Sequence, residues 1–201
     1  MQQEKEKTLG PCTLEGKTVR LETLNMEHAG SLLEARENFD WAWMSRDLST
    51  LHAMKAWIAE ALEAQRMSQE YPFAVFHKAQ ERFIGSTRYM DVQAENKGVE
   101  IGWTWYSPSV WGTSVNPETK LLLLTHAFEN WGALRVQLKT DHNNQHSQNA
   151  IVKLGAKFEG QLRNHRIRRD GTIRHTMMYS IIKEEWTTAK SNLIERLQSI
   201  R

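Results

Sequence analysis

A lone carboxylate, Glu100, stands in the run Val99-Glu100-Ile101-Gly102-Trp103-Thr104-Trp105, among apolar and aromatic neighbours. Such a group either faces solvent from one side of a strand or is partly buried with a raised pKa, a state fit for general-base work. Alternation alone favours the solvent-facing reading. Farther along, the loop Trp111-Gly112-Thr113-Ser114-Val115-Asn116 is short on side-chain bulk at several positions and leads into a helix. A helix start offers unpaired N–H groups and a partial positive charge, so this loop is a candidate seat for a phosphate. Asn144 and Ser147, spaced i and i+3, lie near one edge of the next helix's first turn, where Asn144 also serves simply as a cap. His142 and His146 have the i, i+4 spacing of a helical metal site. They straddle the helix start with no Cys or third ligand nearby, so no metal is expected.

The elements that must position these residues can be read from periodicity and caps. Thr18 to Leu24 alternates as a strand, and Asn25 can cap a helix through about Glu37. Asn38 to Ser49 is rich in aromatics and has little period. A second helix runs from Leu51 to Ser68 with Met54, Trp57, Ile58, Ala61 and Leu62 on one stripe. Tyr71–His77, Arg82–Val92 and Gly98–Tyr106 form a meander of strands. After the loop Ser107–Val115 a helix is expected from Pro117 to Trp131, with Asn116 as N-cap and Glu118 in its first turn. Leu121, Leu124, Phe128 and Trp131 form its stripe, and Gly132 its stop. A strand Arg135–Thr140 precedes the helix capped by Asn144 and closed by Gly155. A hairpin, Lys157–Arg169 and Thr172–Lys183, turns at Asp170–Gly171, and a short amphipathic helix, about Glu184 to Leu197, follows. The order βααβββαβαββα predicts an α+β fold, a mixed sheet with helices on both faces.

Composition narrows the class further. A chain of 201 residues, 40 % hydrophobic and 25 % charged, fits one ordinary globular domain. No apolar run approaches the roughly 18–20 residues needed to cross a bilayer. Met1 to Leu14 lacks a signal-peptide core and reads as a loose arm, and the single Cys12 suits a reducing cytosol, so a cytoplasmic location is expected. A net charge of +2 does not by itself argue for nucleic acid. The basic region Arg163, His165, Arg166, Arg168, Arg169 and Arg174 reads first as a solvated hairpin with a few ion pairs. The alternative is a docking surface for an acidic partner such as RNA or a ribosomal particle.

The segments VEIGWTWYSP (99–108), WGTSVNPETKLLLLTHAFENWGALRVQLKT (111–140), DHNNQHSQNAIVKLGAKFEGQLR (141–163) and DGTIRHTMMYSIIKEEW (170–186), in that order, resemble the GCN5-related N-acetyltransferase (GNAT) superfamily, within it the RimJ/RimL-like branch. The resemblance implies a mixed, mostly antiparallel sheet with splayed central strands and a C-terminal hairpin. It divides the chain into an arm (1–14), a GNAT domain (15–186) and a helical tail (187–201). It implies an enzyme that moves an acetyl group from acetyl-CoA to a primary amine, of a protein N-terminus or a small molecule, by direct transfer in a ternary complex. Glu100–Tyr106 and Arg135–Thr140 would part to admit the pantetheine arm, which pairs with backbone around Thr104, Trp105 and Tyr106. The pyrophosphate would rest on the amides of Gly112, Thr113, Ser114, Val115 and Asn116. Asn144 matches a pantetheine contact, Ser147 a serine that approaches the sulfur and can protonate it, and Glu100 would serve as base. The acceptor would enter beside Trp41, Trp43 and Met44.

The match has departures. Trp111, Ser114 and Asn116 replace the usual basic and small residues of the phosphate loop, and Ile151 replaces a tyrosine that acts as acid in many members. They leave open a catalytically silent CoA-binding module, and the basic hairpin leaves open an RNA- or ribosome-associated one. A homodimer through the terminal strands is also left open.

Overall fold

The computed structural model describes residues 8–200, and along them the elements follow the predicted order. A two-residue strand β1 (Leu14–Glu15) precedes β2 (Val19–Thr23), helix α1 (His28–Ala35), a 3-10 turn (Trp41–Trp43) and helix α2 (Leu51–Arg66). Strands β3 (Tyr71–His77), β4 (Arg82–Gln93) and β5 (Gly98–Tyr106) form the meander. Helix α3 (Val115–Thr125) continues through a wider π-type turn (His126–Trp131) into β6 (Arg135–Asp141). Helix α4 (Gln145–Val152), the hairpin β7 (Lys157–Ile167) and β8 (Ile173–Ile182), and helix α5 (Lys183–Ser199) follow. The sheet order is β1-β2-β3-β4-β5-β6-β8-β7, antiparallel throughout except for the parallel pair β5–β6. This is the expected α+β architecture.

Two cores lie on opposite faces of the sheet. On one, Val99, Ile101, Val136, Leu138 and Ile181 pack with Leu124, Phe128, Trp186 and Leu193 from the helices that follow β5 and β8. On the other, Ala74 and Trp105 pack with Leu32, Met54, Trp57 and Ile58 of the first two helices. Helices α1 and α2 rest on β3 and β4, so the same face of β6, β8 and β7 lies beyond them. Strand β5 serves both cores by alternation, and it changes parity on the way. Arg88 pairs with Gly102 and Ser86 with Trp105, which leaves an extra residue in β5, and Trp103 there has φ +48°. Before this bulge Val99 and Ile101 face α3. After it Thr104 and Tyr106 do, and Trp103 and Trp105 face α2.

Four expectations need correction. Asn116 is not the cap of α3, which starts at Val115 behind Ser114. Pro117 tolerates this because none of the first four N–H groups has an intrahelical partner. Glu118 does more than complement the helix dipole: its buried carboxylate accepts from the N–H groups of Lys17, Thr18 and Val19 at 2.7–2.8 Å, locking α3 to β2. Asn25 does not cap α1, which begins at His28; its Oδ1 instead accepts from Glu27 N in the preceding turn. Of the expected loose arm, residues 1–7 lie outside the described residues, but Leu9 is 1 % exposed inside the main core. Burying a leucine is worth about 1.5–3 kcal/mol, enough to tie down such a segment. The expected tail is likewise an integral helix, with Trp186, Ala189 and Leu193 of α5 buried.

Candidate active site

The parallel pair holds together for only part of its length. Gly98, Val99 and Glu100 pair with Arg135, Val136 and Gln137, and no ladder joins β5 to β6 beyond them. From Ile101 to Tyr106 the edge of β5 facing β6 is therefore free of strand partners, the splay that the resemblance implied. Parallel strands end on the same side, so α3 and α4 both begin at the open end of this gap. Crevices outside the carboxyl ends of sheet strands are recurrent ligand sites.

At the start of α3, the N–H groups of Gly112, Thr113 and Ser114 have no acceptor among the described residues. Val115 N–H is already directed at Thr113 Oγ1, 3.3 Å away. Gly112 adopts φ +76° with nothing within 4 Å of where a Cβ would stand, so the loop is open on its outer side. Trp111 is 52 % exposed and anchored by its indole N–H to Tyr106 O at 3.0 Å. At α4, Asn144 Oδ1 accepts from Ser147 N at 3.0 Å, so the cap reading of Asn144 holds. The Ser147 hydroxyl makes no hydrogen bond among the described residues and is half-buried.

Glu100 is 1 % exposed, against the solvent-facing expectation. Glu100 lies opposite Met90 of β4 and Gln137 of β6, and side chains from both neighbouring strands close around it, which alternation cannot report. Glu100 Oε2 accepts from Lys139 Nζ at 2.7 Å and from Gln137 Nε2 at 3.1 Å. Its other oxygen, Oε1, lies 3.1 Å from where a Cβ of Gly102 would be, in space that exists because residue 102 is glycine. Sequence reasoning missed Lys139 and Gln137; the signal lay in the parallel register, which sets Gln137 opposite Glu100.

It also missed Lys120. This lysine of α3 is buried, and its Nζ donates to Thr104 Oγ1 at 2.6 Å, with Thr87 Oγ1 at 3.4 Å. No carboxylate joins it among the described residues, and burial pulls its pKa down to about 7. Thr104 thus reaches the gap region with its backbone and α3 with its hydroxyl.

On the face shared with Glu100, the 3-10 turn and the hairpin tip enclose a cleft of about 560 Å³ lined by Phe39, Asp40, Trp41, Asp47 and Arg168–Asp170. Arg169 ties its two sides together, donating to Trp41 O at 3.2 Å and Asp47 Oδ2 at 3.3 Å. Trp41 is 5 % exposed, packed against Phe39 and Trp105, and forms part of the wall. Trp43 is exposed and Met44 packs against the α1–α2 core, and neither lines the cleft. The histidine pair diverges: His142 Nδ1 accepts from His175 N, whereas His146 lies beside Trp111. Among the described residues no cluster of three metal-ligating side chains occurs, and no helix is long and apolar enough to cross a membrane.

The family model of the acetyltransferase (GNAT) domain matches residues 18–157, spanning β2 to the start of β7 and including the whole gap. The chain is a GNAT acetyltransferase. A solved candidate acetyltransferase from T. thermophilus shares 34 % identity over 93 % of this chain and 97 % of its own, with a TM-score of 0.83. A GCN5-related N-acetyltransferase from Brucella melitensis shares 26 % identity over 93 % of this chain and 86 % of its own, with a TM-score of 0.86. Mycobacterium smegmatis RimJ, solved in complex with CoA-disulfide, covers 92 % of this chain and 95 % of its own at a TM-score of 0.80. Its 18 % identity makes that a likeness of fold. No curated protein matches. Within the GNAT frame, Ile151 is buried in the core.

Proposed function

We propose that this GNAT protein is a RimJ/RimL-like N-acetyltransferase, transferring acetyl from acetyl-CoA directly to an amine that arrives on the face holding Glu100. The observation that carries the reading is the parting of β5 from β6 just past Glu100 and Gln137, with two helix N-termini at the open end. The free amides of Gly112, Thr113 and Ser114 fit a pyrophosphate through backbone donation, which needs no basic side chain and so survives the Trp111 departure. Unpaired backbone of β5 around Thr104 to Tyr106 fits an amide-bearing arm, and Asn144 and Ser147 flank it from α4. Acetyl-CoA supplies the acetyl group as a thioester, and its transfer forms an amide and releases a free thiol.

The remaining work belongs to the chain. Glu100 Oε1 takes the proton that the amine must lose, while Lys139 and Gln137 hold Oε2 and fix the carboxylate's orientation. A carboxylate is a weak base, so it suits an α-amine of pKa about 7.7–8.0 better than an alkylamine near 10. That favours peptide or protein N-termini among the primary amines. Ser147, with an unengaged hydroxyl, is the proton donor to the leaving sulfur. Backbone N–H groups freed in β5 stabilise the charge that develops on the carbonyl oxygen. Holding amine and thioester together accounts for much of the rate, worth roughly 7–11 kcal/mol in well-oriented systems.

The test is thiol release from acetyl-CoA with N-terminal peptides, polyamines and aminoglycosides, run beside calorimetric titration of CoA. Release with α-amine peptides is expected. CoA binding without release from any acceptor would favour the silent module that the Ile151 departure suggests, and no CoA binding would overturn the reading.

A further inference from the structure

Two guanidinium groups, those of Arg168 and Arg174, converge on one carboxylate, Asp141, where β6, β8 and β7 extend beyond α1 and α2. Arg168 saturates that carboxylate from two nitrogens, Nε to Oδ2 at 2.7 Å and Nη2 to Oδ1 at 2.8 Å. Asn143 N–H adds a third bond to Oδ1 at 2.9 Å. Arg174 Nε stands 4.0 Å from Oδ2, outside hydrogen-bond range, and is buried with no partner among the described residues. A third arginine, Arg166, lies directly opposite Arg174 in the β7–β8 register. Like charges facing one another across a strand pair are destabilising, and a buried donor left unbonded adds to the cost.

The neighbouring carboxylates make no hydrogen bond to Arg174 among the described residues. Glu100, the next acid on the face, is committed to Lys139 and Gln137. Glu159 is held by Arg135 and Ser180. Burial lowers the pKa of Arg174, and Arg166 and Arg168 push the same way against the pull of Asp141 and, more weakly, of Glu100. The site is short of one anion. Its location follows from the pairing: Asp141 faces Thr176, Lys139 faces Met178 and Gln137 faces Ser180, and paired residues share a face. Arg174 and Glu100 therefore look onto the same surface. A bulge in β7 between Leu162 and Arg166, with Asn164 at φ +51°, also turns His165 Nδ1 to within 2.9 Å of Thr176 Oγ1 beside them.

We propose that Arg174 and Arg166 form a carboxylate subsite for the acceptor, so that the preferred amine is the N-terminus of an acidic peptide. This rests on the acetyl-transfer reading above. The planar guanidinium fork matches a carboxylate with two parallel hydrogen bonds, and a carboxylate between the two arginines would satisfy the orphaned Nε and offset their repulsion.

The experiment compares peptides that differ only in Asp or Glu against Asn or Gln near the N-terminus. It measures kcat/KM by thiol release, and binding by calorimetry with CoA present as a dead-end partner. Wild-type protein should prefer the acidic peptide by about ten- to a hundredfold, as expected for charge-assisted hydrogen bonds. Arg174→Gln and Arg166→Gln should each bring the ratio towards one, and Arg174→Lys should recover part of it. Arg163→Gln, outside the pair, should retain the preference. Equal binding and turnover of the two peptides by wild-type protein would overturn the subsite while leaving acetyl transfer intact. An acidic preference in binding without thiol release from any peptide would uphold the subsite while the transfer reading fails. A preference that survives Arg174→Gln but vanishes with Arg163→Gln would move recognition to the outer edge of the hairpin and overturn the assignment.

Discussion

Lys139 stands two residues past Gln137, where the β5–β6 ladder ends, yet its Nζ lies 2.7 Å from Oε2 of Glu100, the last β5 residue in that ladder. The ion pair thus spans the two strands at the point where their ladder ends. Glu100→Gln should lower kcat by roughly 10²–10⁴, the range of general-base contributions. The loss should be greatest near and below neutral pH and should shrink at higher pH, where solvent deprotonates the amine. A pH–rate profile of the variant with the same shape as wild type would remove the base role.

Lys139→Met should destabilise the fold, because it leaves Glu100 buried with one amide partner. Lys139 is partly exposed, so the loss should be on the order of 2 kcal/mol, below the roughly 3–5 kcal/mol of a fully buried pair. Adding Glu100→Gln should restore most of it. Urea denaturation of the two single variants and the double variant supplies the cycle, and simple additivity would mean the pair is not coupled.

Asn116→Asp should separate stability from binding. A negative charge in the first turn of α3 favours the helix by roughly 0.3–1 kcal/mol. The same charge repels a pyrophosphate on the neighbouring amides, and CoA affinity should fall on the order of tenfold, equivalent to ~1.4 kcal/mol. Thermal melts and calorimetry on one preparation test both halves, and unchanged CoA affinity would take the loop out of phosphate binding.

Glu118→Ala should cost about 2–4 kcal/mol, since it strips the carboxylate from three backbone N–H groups. Hydrogen exchange should accelerate at Lys17, Thr18 and Val19 before it does elsewhere in β2. Uniform acceleration across the sheet would mean that Glu118 is not a local lock.

Lys120 ties stability to pH. Burial holds its amine at about 7 in the fold, whereas the unfolded chain keeps that proton up to the ordinary 10.5. Between these values the unfolded state binds more protons, so the lysine's contribution makes stability rise with pH; below the window the buried charge is penalised in full. Lys120→Met should therefore be more stable than wild type at neutral pH, with the advantage shrinking as pH climbs. Thermal melts across that window measure the slope, and parallel curves for the two proteins would contradict it.

Much of this was legible from residue order. The strand–loop–helix around Glu100 to Asn116, the turn at Asp170–Gly171 and the stop at Gly132 all announce themselves through local chemistry, and Gly132 does take a left-handed φ of +81°. What local chemistry could not supply was depth and register. Glu100 alternates correctly with Val99 and Ile101, but only the neighbouring strands decide that its own face is covered. Lys120 stands one turn before Leu124 on the buried side of α3, but no local pattern tells that its amine meets Thr87 of β4 and Thr104 of β5. The Asp141–Arg168 bond joins residues from β6 and the hairpin tip, and neither segment mentions the other. Asn116 misled because Pro117 follows it, although the helix had already begun at Val115.

The bulge at Trp103 makes β5 two half-strands in one chain. Positions before it, Glu100 and Gly102, share the α2-side face with Trp103 and with Trp105 after it, while Thr104 and Tyr106 form a wall against α3. The extra residue sets two consecutive positions, Gly102 and Trp103, on one face, so an indole is added there without moving any other position of β5. Deleting Trp103 would restore plain alternation and leave Thr104, Trp105 and Tyr106 on the faces they now hold, at the loss of one indole from the α2 side.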